Sequence, residues 1–199
     1  MPGSLTFITG GARCGKSGFA EQLARAHRGP VAFVATASVQ DREMTERVAR
    51  HRARRPLEWT TLECAGNISA TVEQAAETHA LVLVDCIGMY LSGLLPPEVS
   101  QGETVPAAVG DELDHRIDVE MTDLVGVMQG GHSDFIVVSN EVGSGLVPPY
   151  PAGRAFRDVL GRANQFLARK ADYAFLVVAG QVLDLKALGA SQFPWEIGH

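Results

Sequence analysis

Five short apolar runs set the rhythm of the chain: LTFIT (5–9), VAFVATA (31–37), LVLVD (81–85), FIVVS (135–139) and YAFLVVA (173–179). They are rich in Val, Ile, Leu and Phe and do not alternate strictly with polar residues. That is the pattern of strands buried on both faces of a parallel sheet. Between them lie polar–apolar stretches with helical spacing at 16–27, 41–54, 67–79, about 109–129 and 153–171. Regular alternation of strand and helix predicts an α/β fold with a central, mostly parallel sheet. EWTTLE (58–63) is a candidate extra edge strand. The segment 94–110 holds three prolines and two glycines and predicts a surface loop, because both residues interrupt regular structure. After Lys186 the periodicity fades, so the expected organisation is one domain over 1–186 and a tail over 187–199. That tail is expected either to be mobile or to pack on a neighbouring subunit through Phe193 and Trp195.

Composition narrows the function. A chain of 199 residues with 46% apolar and 20% charged residues is an ordinary globular length and balance. The net charge of -6 argues against a general binder of nucleic acid or of membrane surfaces, which select basic proteins. Three widely spaced cysteines, Cys14, Cys64 and Cys86, form neither a disulfide framework nor a zinc motif and suggest a reducing compartment. The start, MPGSLTFITGG, lacks the basic and apolar regions of a signal peptide, and no apolar run approaches the ~20 residues that span a bilayer. The expected location is cytoplasmic, without stable membrane insertion.

The first apolar run leads into GGARCGKS, residues 10–17, which fits G-x-x-x-x-G-K-[ST]. A strand before it and a helical pattern after it are the context in which this motif folds as a phosphate-binding loop. Glycines let several backbone N–H groups turn inward, and the helix N-terminus adds its positive end. In that reading Lys16 reaches the β and γ phosphates and the Ser17 hydroxyl holds Mg²⁺. Asp85, ending LVLVD, is the carboxylate expected to face the metal. An ordinary strand-end aspartate is the alternative for that residue.

Against the acidic background, RHRARRP (50–56) packs four arginines around one histidine. Read as a helix, 41–55 places Met44, Val48 and His51 on one face and Arg47, Arg50 and Arg54 on a neighbouring one. His51 is thus directed at the protein. That suits a packed helix-end residue as well as a nucleophile. Neighbouring arginines would favour the neutral imidazole, and would also neutralise a triphosphate and the charge that develops in transfer.

GGARCGKS, VATA, EMTERVARHRARRPLEWTTLE, LVDC, SNEVGSGLVP and FRDVLGRANQFLARKADYAFLVVAG, in that order over roughly residues 5–186, together resemble the bifunctional adenosylcobinamide kinase/adenosylcobinamide-phosphate guanylyltransferase family. The resemblance implies a three-layer, RecA-like P-loop domain that assembles as a homotrimer. It implies phosphorylation of adenosylcobinamide, then transfer of GMP from GTP to that phosphate through a guanylylated histidine, with GTP, ATP and Mg²⁺ as nucleotide and metal partners. The family's nucleophile falls on His51, with Lys16 as the second catalytic residue. Its nucleotide contacts fall on Gly10, Gly11, Ala12, Arg13, Cys14, Gly15, Lys16 and Ser17, on Ala35, Thr36 and Ala37, on Arg52, Ala53, Arg54 and Arg55, and on Glu63 and Asp85. Its metal ligands fall on Ser17 and Asp85.

Two departures stand out. Cys14 occupies a loop position where the family usually has serine, and Asp85 one where some members have glutamate. Because backbone N–H groups do the binding in the loop, the first should be tolerated, with some sensitivity to thiol oxidation. Asn140 and Glu141, after FIVVS, lie where ligands bind in open α/β sheets, and Arg154, Arg157, Arg162 and Asn164 are candidates for a further phosphate contact. Two other functions fit parts of the pattern: a monofunctional P-loop kinase of another small alcohol, and an oligomeric NTP-binding regulator. Neither needs His51.

Overall fold

The computed structural model describes residues 3–36, 55–64, 66–96, 99 and 107–188. In chain order the elements are β1 (Leu5–Gly10), α1 (Lys16–Ala26), β2 (Val31–Ala35), β3 (Thr60–Glu63), α2 (Ile68–Ala76), β4 (Leu81–Asp85), α3 (Ile87–Gly93), α4 (Ala107–Gly130), β5 (Asp134–Val138), α5 (Pro151–Lys170), β6 (Tyr173–Val178) and β7 (Gln181–Asp184). The strands form one seven-stranded sheet in the order β3-β2-β4-β5-β1-β6-β7. All pairings are parallel except β6 with β7.

The apolar runs conceal an alternation that only the sheet reveals. Leu5, Phe7, Ala32, Val34, Val82, Val84, Phe135 and Val137 point to one face, where they pack on Ile68 and Val72 of α2, Ile117, Met121 and Leu124 of α4, and Leu160 and Leu167 of α5. Ile8, Val31, Phe33, Leu81, Leu83, Ile136 and Val138 point to the other, against Ala20 and Ala24 of α1 and against Trp59. Two buried faces require apolar residues at every position, which is why period-two patterning was invisible. The result is a three-layer α/β sandwich of the P-loop type, as expected. Among the described residues no helix is long and apolar enough to cross a membrane.

Several boundaries differ from expectation. Residues 107–110, expected to belong to a loop, open a helix instead, because α4 begins at Ala107 and carries Gly110 inside it. A glycine in a helix costs only ~1 kcal/mol relative to alanine, less than the rest of a 24-residue helix supplies. EWTTLE does supply an edge strand, β3, parallel to β2. Two elements have no counterpart in the sequence reading, α3 and β7. The expected helix over 41–54, and most of the tail, including Phe193 and Trp195, lie outside the described residues.

Candidate active site

β1 ends at Gly10 and α1 begins at Lys16, so the motif GGARCGKS forms the turn between them. Its backbone needs unusual conformations. Arg13 has φ 55° and Gly15 φ 106°, and a side chain at Gly10 would lie 2.4 Å from the Val177 carbonyl oxygen and 2.7 Å from Cys14 Sγ. Glycine at 10 and 15 is therefore required by close approach and by positive φ respectively. The α1 N-terminus carries no acidic residue in its first turn, which leaves its partial positive charge uncompensated. Lys16 is buried, and its Nζ donates across the loop to the Gly11 carbonyl at 3.0 Å. A phosphate oxygen entering the loop would offer that ammonium a stronger, charge-assisted acceptor.

The loop is braced from the β6 side. Val178 and Gln181 are joined by a two-residue turn in which Ala179 (φ 51°) and Gly180 (φ 78°) both have positive φ, and Gly180 N donates to the Cys14 carbonyl at 2.8 Å. The sequence reading ran the strand through Ala179 and missed this hairpin.

On the other side, β5 separates β1 from β4. Asp85 is the last residue of β4 and lies in register with Ala35 of β2 and Val138 of β5; Ala35 is in turn level with Glu63 of β3. Three of the expected contacts, Ala35, Glu63 and Asp85, thus form one row at the carboxyl ends of adjacent strands, the edge from which the phosphate loop also springs. No hydrogen bond to another described residue occupies the Asp85 carboxylate or the Ser17 hydroxyl.

Thr36, an expected nucleotide contact, also makes a structural contact of its own. Its buried hydroxyl donates to the Cys86 carbonyl at 2.7 Å and accepts from the Cys86 N–H at 2.7 Å. The side chain therefore clamps the end of β2 to the residue after Asp85. Cys86 is buried, and its thiol pKa is pushed up to about 11, first by desolvation and then by the negative charge of Asp85, against the opposing pull of Met89 and Gly88 amides and of the Lys16 ammonium. It is a neutral thiol at physiological pH, with Asp85 and Lys16 both within electrostatic reach.

Beyond β5 runs a polar chain. The fully buried Ser139 hydroxyl donates to Asn164 Oδ1 at 2.5 Å, and Asn164 Nδ2 donates to the Asn140 carbonyl at 2.9 Å. Glu141 N donates to the Gly10 carbonyl at 2.9 Å. The Glu141 carboxylate accepts from the N–H groups of Gly143 (2.6 Å) and Ser144 (3.2 Å). Burial works against its ionisation, but these amides outweigh it and hold the carboxyl below the usual range.

The arginines divide. The Arg55 guanidinium stacks on the Phe33 ring at 3.3 Å and donates to Thr61 Oγ1 at 3.4 Å, on the α1 face of the sheet. Arg154 donates to the carbonyls of Pro148 (3.0 Å) and Pro149 (2.8 Å), Arg157 lies 3.6 Å from Asp158, and Arg162 pairs with Asp114. The structure thus gives Arg154 and Arg162 protein partners in the place of a phosphate. His51, Arg52, Ala53, Arg54 and Ala37 lie outside the described residues.

The site is a set of strand ends, a cationic loop and two oxygen-bearing side chains, Ser17 and Asp85, without hydrogen-bond partners among the described residues. That arrangement can bind a triphosphate and stabilise charge moving between its phosphorus atoms. Known proteins match the same span. The model of the family described as cobinamide kinase / cobinamide phosphate guanyltransferase matches residues 6–185. The chain is 37% identical over 179 residues to the bifunctional adenosylcobalamin biosynthesis protein CobP of Pseudomonas aeruginosa, covering 90% of this chain and 95% of that one. It is 34% identical over 183 residues to the bifunctional adenosylcobalamin biosynthesis protein CobU of Salmonella typhimurium and 34% over 187 residues to CobU of Escherichia coli, in each case covering 92% of this chain and 99% of the relative. With a P-loop fold, a phosphate-loop site and this length of match, the chain belongs to the cobinamide kinase / cobinamide phosphate guanyltransferase family.

Proposed function

We propose that this protein carries out two consecutive steps of cobalamin biosynthesis at the carboxyl edge of its sheet. In the first, the γ-phosphoryl group of ATP or GTP passes to the hydroxyl of adenosylcobinamide. In the second, GMP passes from GTP to adenosylcobinamide phosphate by way of His51. The observation that carries this reading is the convergence of the phosphate loop, Asp85 and Lys16 on one edge of the sheet, in a chain of this family.

In the second step an imidazole nitrogen of His51 forms a bond to the α-phosphorus of GTP, the bond from that phosphorus to the bridging oxygen breaks, and pyrophosphate leaves with the electron pair. The substrate phosphate then attacks the same phosphorus and releases the imidazole. Residues Gly10 to Ser17 hold the phosphates through backbone N–H groups, and Lys16 offsets charge on the departing oxygens. Arg52, Arg54 and Arg55 supply further positive charge, with Ala35, Thr36, Ala37, Ala53 and Glu63 lining the nucleotide.

An all-oxygen pair of ligands, Ser17 and Asp85, fits Mg²⁺, which binds through one or two protein oxygens together with phosphates and water. The unengaged state of both groups supports that assignment. When bound, Mg²⁺ neutralises charge on the phosphate oxygens. The shorter carboxylate of Asp85 is compatible with contact through a metal-bound water. The protein acts in the cytoplasm as a homotrimer in this reading, with no nucleic-acid partner.

The test is covalent labelling. Incubation with GTP labelled at the α-phosphate, followed by denaturation, should leave acid-labile, base-stable label on the wild-type protein, and none on His51→Ala. Kinase activity should persist at least in part in that variant, because direct transfer of a γ-phosphoryl group to an alcohol does not use the imidazole. Label retained by His51→Ala would assign the nucleophile elsewhere and return the arginine cluster to a binding role.

A further inference from the structure

Asn140 lies two residues after β5, the one strand between the phosphate loop on β1 and Asp85 on β4. Its backbone is fixed from both sides. The Asn140 carbonyl accepts from Asn164 Nδ2 at 2.9 Å, and Asn164 is held by the buried Ser139 hydroxyl at 2.5 Å. On either side of it, Ser139 N donates to the Ile8 carbonyl and Glu141 N to the Gly10 carbonyl, both at 2.9 Å, which ties Asn140 to the first residue of the loop. Its side chain is fixed as well. Nδ2 lies 3.8 Å from Cys86 Sγ, next in sequence to Asp85. A methyl group at Gly88 would sit 3.0 Å from the same Nδ2, so the start of α3 is bare where the carboxamide rests. Among the described residues nothing hydrogen-bonds Asn140 Oδ1.

A neutral carboxamide is no base, but its oxygen accepts a hydrogen bond from an alcohol and its nitrogen donates to a phosphate. Just past the strand between those that carry the phosphate loop and Asp85, it neighbours the groups that the reading above assigns to the β and γ phosphates and to the metal. We propose that Asn140 is a further catalytic residue for the kinase step: Oδ1 accepts the hydrogen bond of the acceptor hydroxyl and aligns its oxygen with the γ-phosphorus. The bond from that oxygen to phosphorus forms, the bond from phosphorus to the β,γ-bridging oxygen breaks, the nucleoside diphosphate leaves with the electron pair, and the hydroxyl proton is released to water. Ser139 and Asn164 are positioning residues for this contact. The proposal rests on the nucleotide-site reading above.

Asn140→Ala and the isosteric Asn140→Asp, made in the full chain, separate the possibilities. Phosphorylation of adenosylcobinamide and guanylyl transfer to its phosphate are assayed separately, and affinity for a non-hydrolysable triphosphate is measured directly. Asn140→Ala should lose about 30- to 100-fold in kinase kcat, the scale of a misplaced reacting group, with triphosphate Kd within about threefold, whereas Asn140→Asp, which keeps an accepting oxygen, should lose less. The loss in guanylyl transfer should be at least about ten times smaller. Asn164→Ala should fall between wild type and Asn140→Ala in kinase kcat. Equal losses in both reactions accompanied by a lower melting temperature would mean that Asn140 is structural only, and an unchanged kinase kcat would overturn the proposal outright. Failure of the wild-type protein to bind triphosphate would overturn the nucleotide-site reading, and this proposal with it.

Discussion

At the amino-terminal edge of the sheet, Asp134 opens β5 with both carboxylate oxygens engaged. One accepts from Ser4 N and Ser4 Oγ, each at 2.8 Å, and the other faces His27 Nε2 at 3.2 Å. His27 Nδ1 accepts from Gly29 N at 3.1 Å, and Asp172 accepts from Leu5 N at 2.8 Å. At the carboxyl-terminal edge, Asp85 closes β4 and Ser17 enters α1 with no such partners among the described residues, while Lys16 donates only to a backbone carbonyl. The two edges use the same residue types at strand ends. One closes its hydrogen bonds internally, tying the first strand to β5 and α1. The other holds its polar groups in place through backbone contacts and leaves their chemistry available. Internal closure marks a clasp that serves stability, and available charge on a rigid frame marks a site that serves a ligand.

The largest effect expected from this contrast comes from breaking the open edge. Lys16→Ala should lower both reactions by about two to three orders of magnitude, the scale on which a charge-stabilising donor acts. Triphosphate binding should weaken with them, while the melting temperature changes little, because Nζ contributes only one backbone hydrogen bond to the fold. Wild-type nucleotide affinity in Lys16→Ala would remove the phosphate-loop assignment.

Breaking the closed edge should do the reverse. Asp134→Asn keeps the shape of the clasp and removes its charge, and should cost about 1–2 kcal/mol of stability at pH 7 with kcat unchanged. The pH dependence has a definite sign. Burial opposes ionisation of Asp134, but the Ser4 amide, the Ser4 hydroxyl and His27 outweigh it, so its folded pKa lies below the ordinary carboxylate value of 3.8. A depressed folded pKa stabilises the fold above the unfolded pKa and loses that stabilisation as pH falls through the folded one. The gap in unfolding free energy between wild type and Asp134→Asn should therefore be constant near neutrality and narrow below about pH 4. A gap that stayed constant down to pH 3 would show that Asp134 contributes shape alone.

The two edges were not equally legible in the sequence. The open edge announces itself, because a loop that must curl around phosphate needs glycines and a lysine at fixed spacing, and Asp85 terminates an apolar run. The strands were legible for a similar reason, since burial on both faces leaves no room for polar residues. The closed edge has no motif. Ser4, His27, Asp134 and Asp172 are far apart in the chain, and only the sheet order brings them together. Ser139 was hidden in the same way, Asn164 was legible as a candidate contact but not as the partner of Ser139, and Thr36 was visible only as part of VATA, which said nothing about the clamp on Cys86. α3 is short and follows directly on Asp85, so the periodicity had too few residues to register.

β7 was missed for a more specific reason, and it supports the smallest and most pointed prediction. Two-residue hairpin turns with two positive-φ positions favour Asn-Gly or Asp-Gly. Here the turn is Ala-Gly, and Ala179 holds φ 51° with an exposed side chain. An L-residue other than Asn, Asp or Gly in that region costs roughly 1–2 kcal/mol. Ala179→Asn should relieve part of that cost and raise stability by about 0.5–1 kcal/mol. The turn braces the open edge, since Gly180 N donates to the Cys14 carbonyl and a side chain at Gly15 would touch Gly180 Cα at 3.4 Å. If the brace is already rigid, triphosphate affinity in Ala179→Asn should match wild type while the melting temperature rises. If affinity rises in step with stability, the hairpin is part of what orders the phosphate loop, and the open edge owes some of its readiness to a turn that is itself strained.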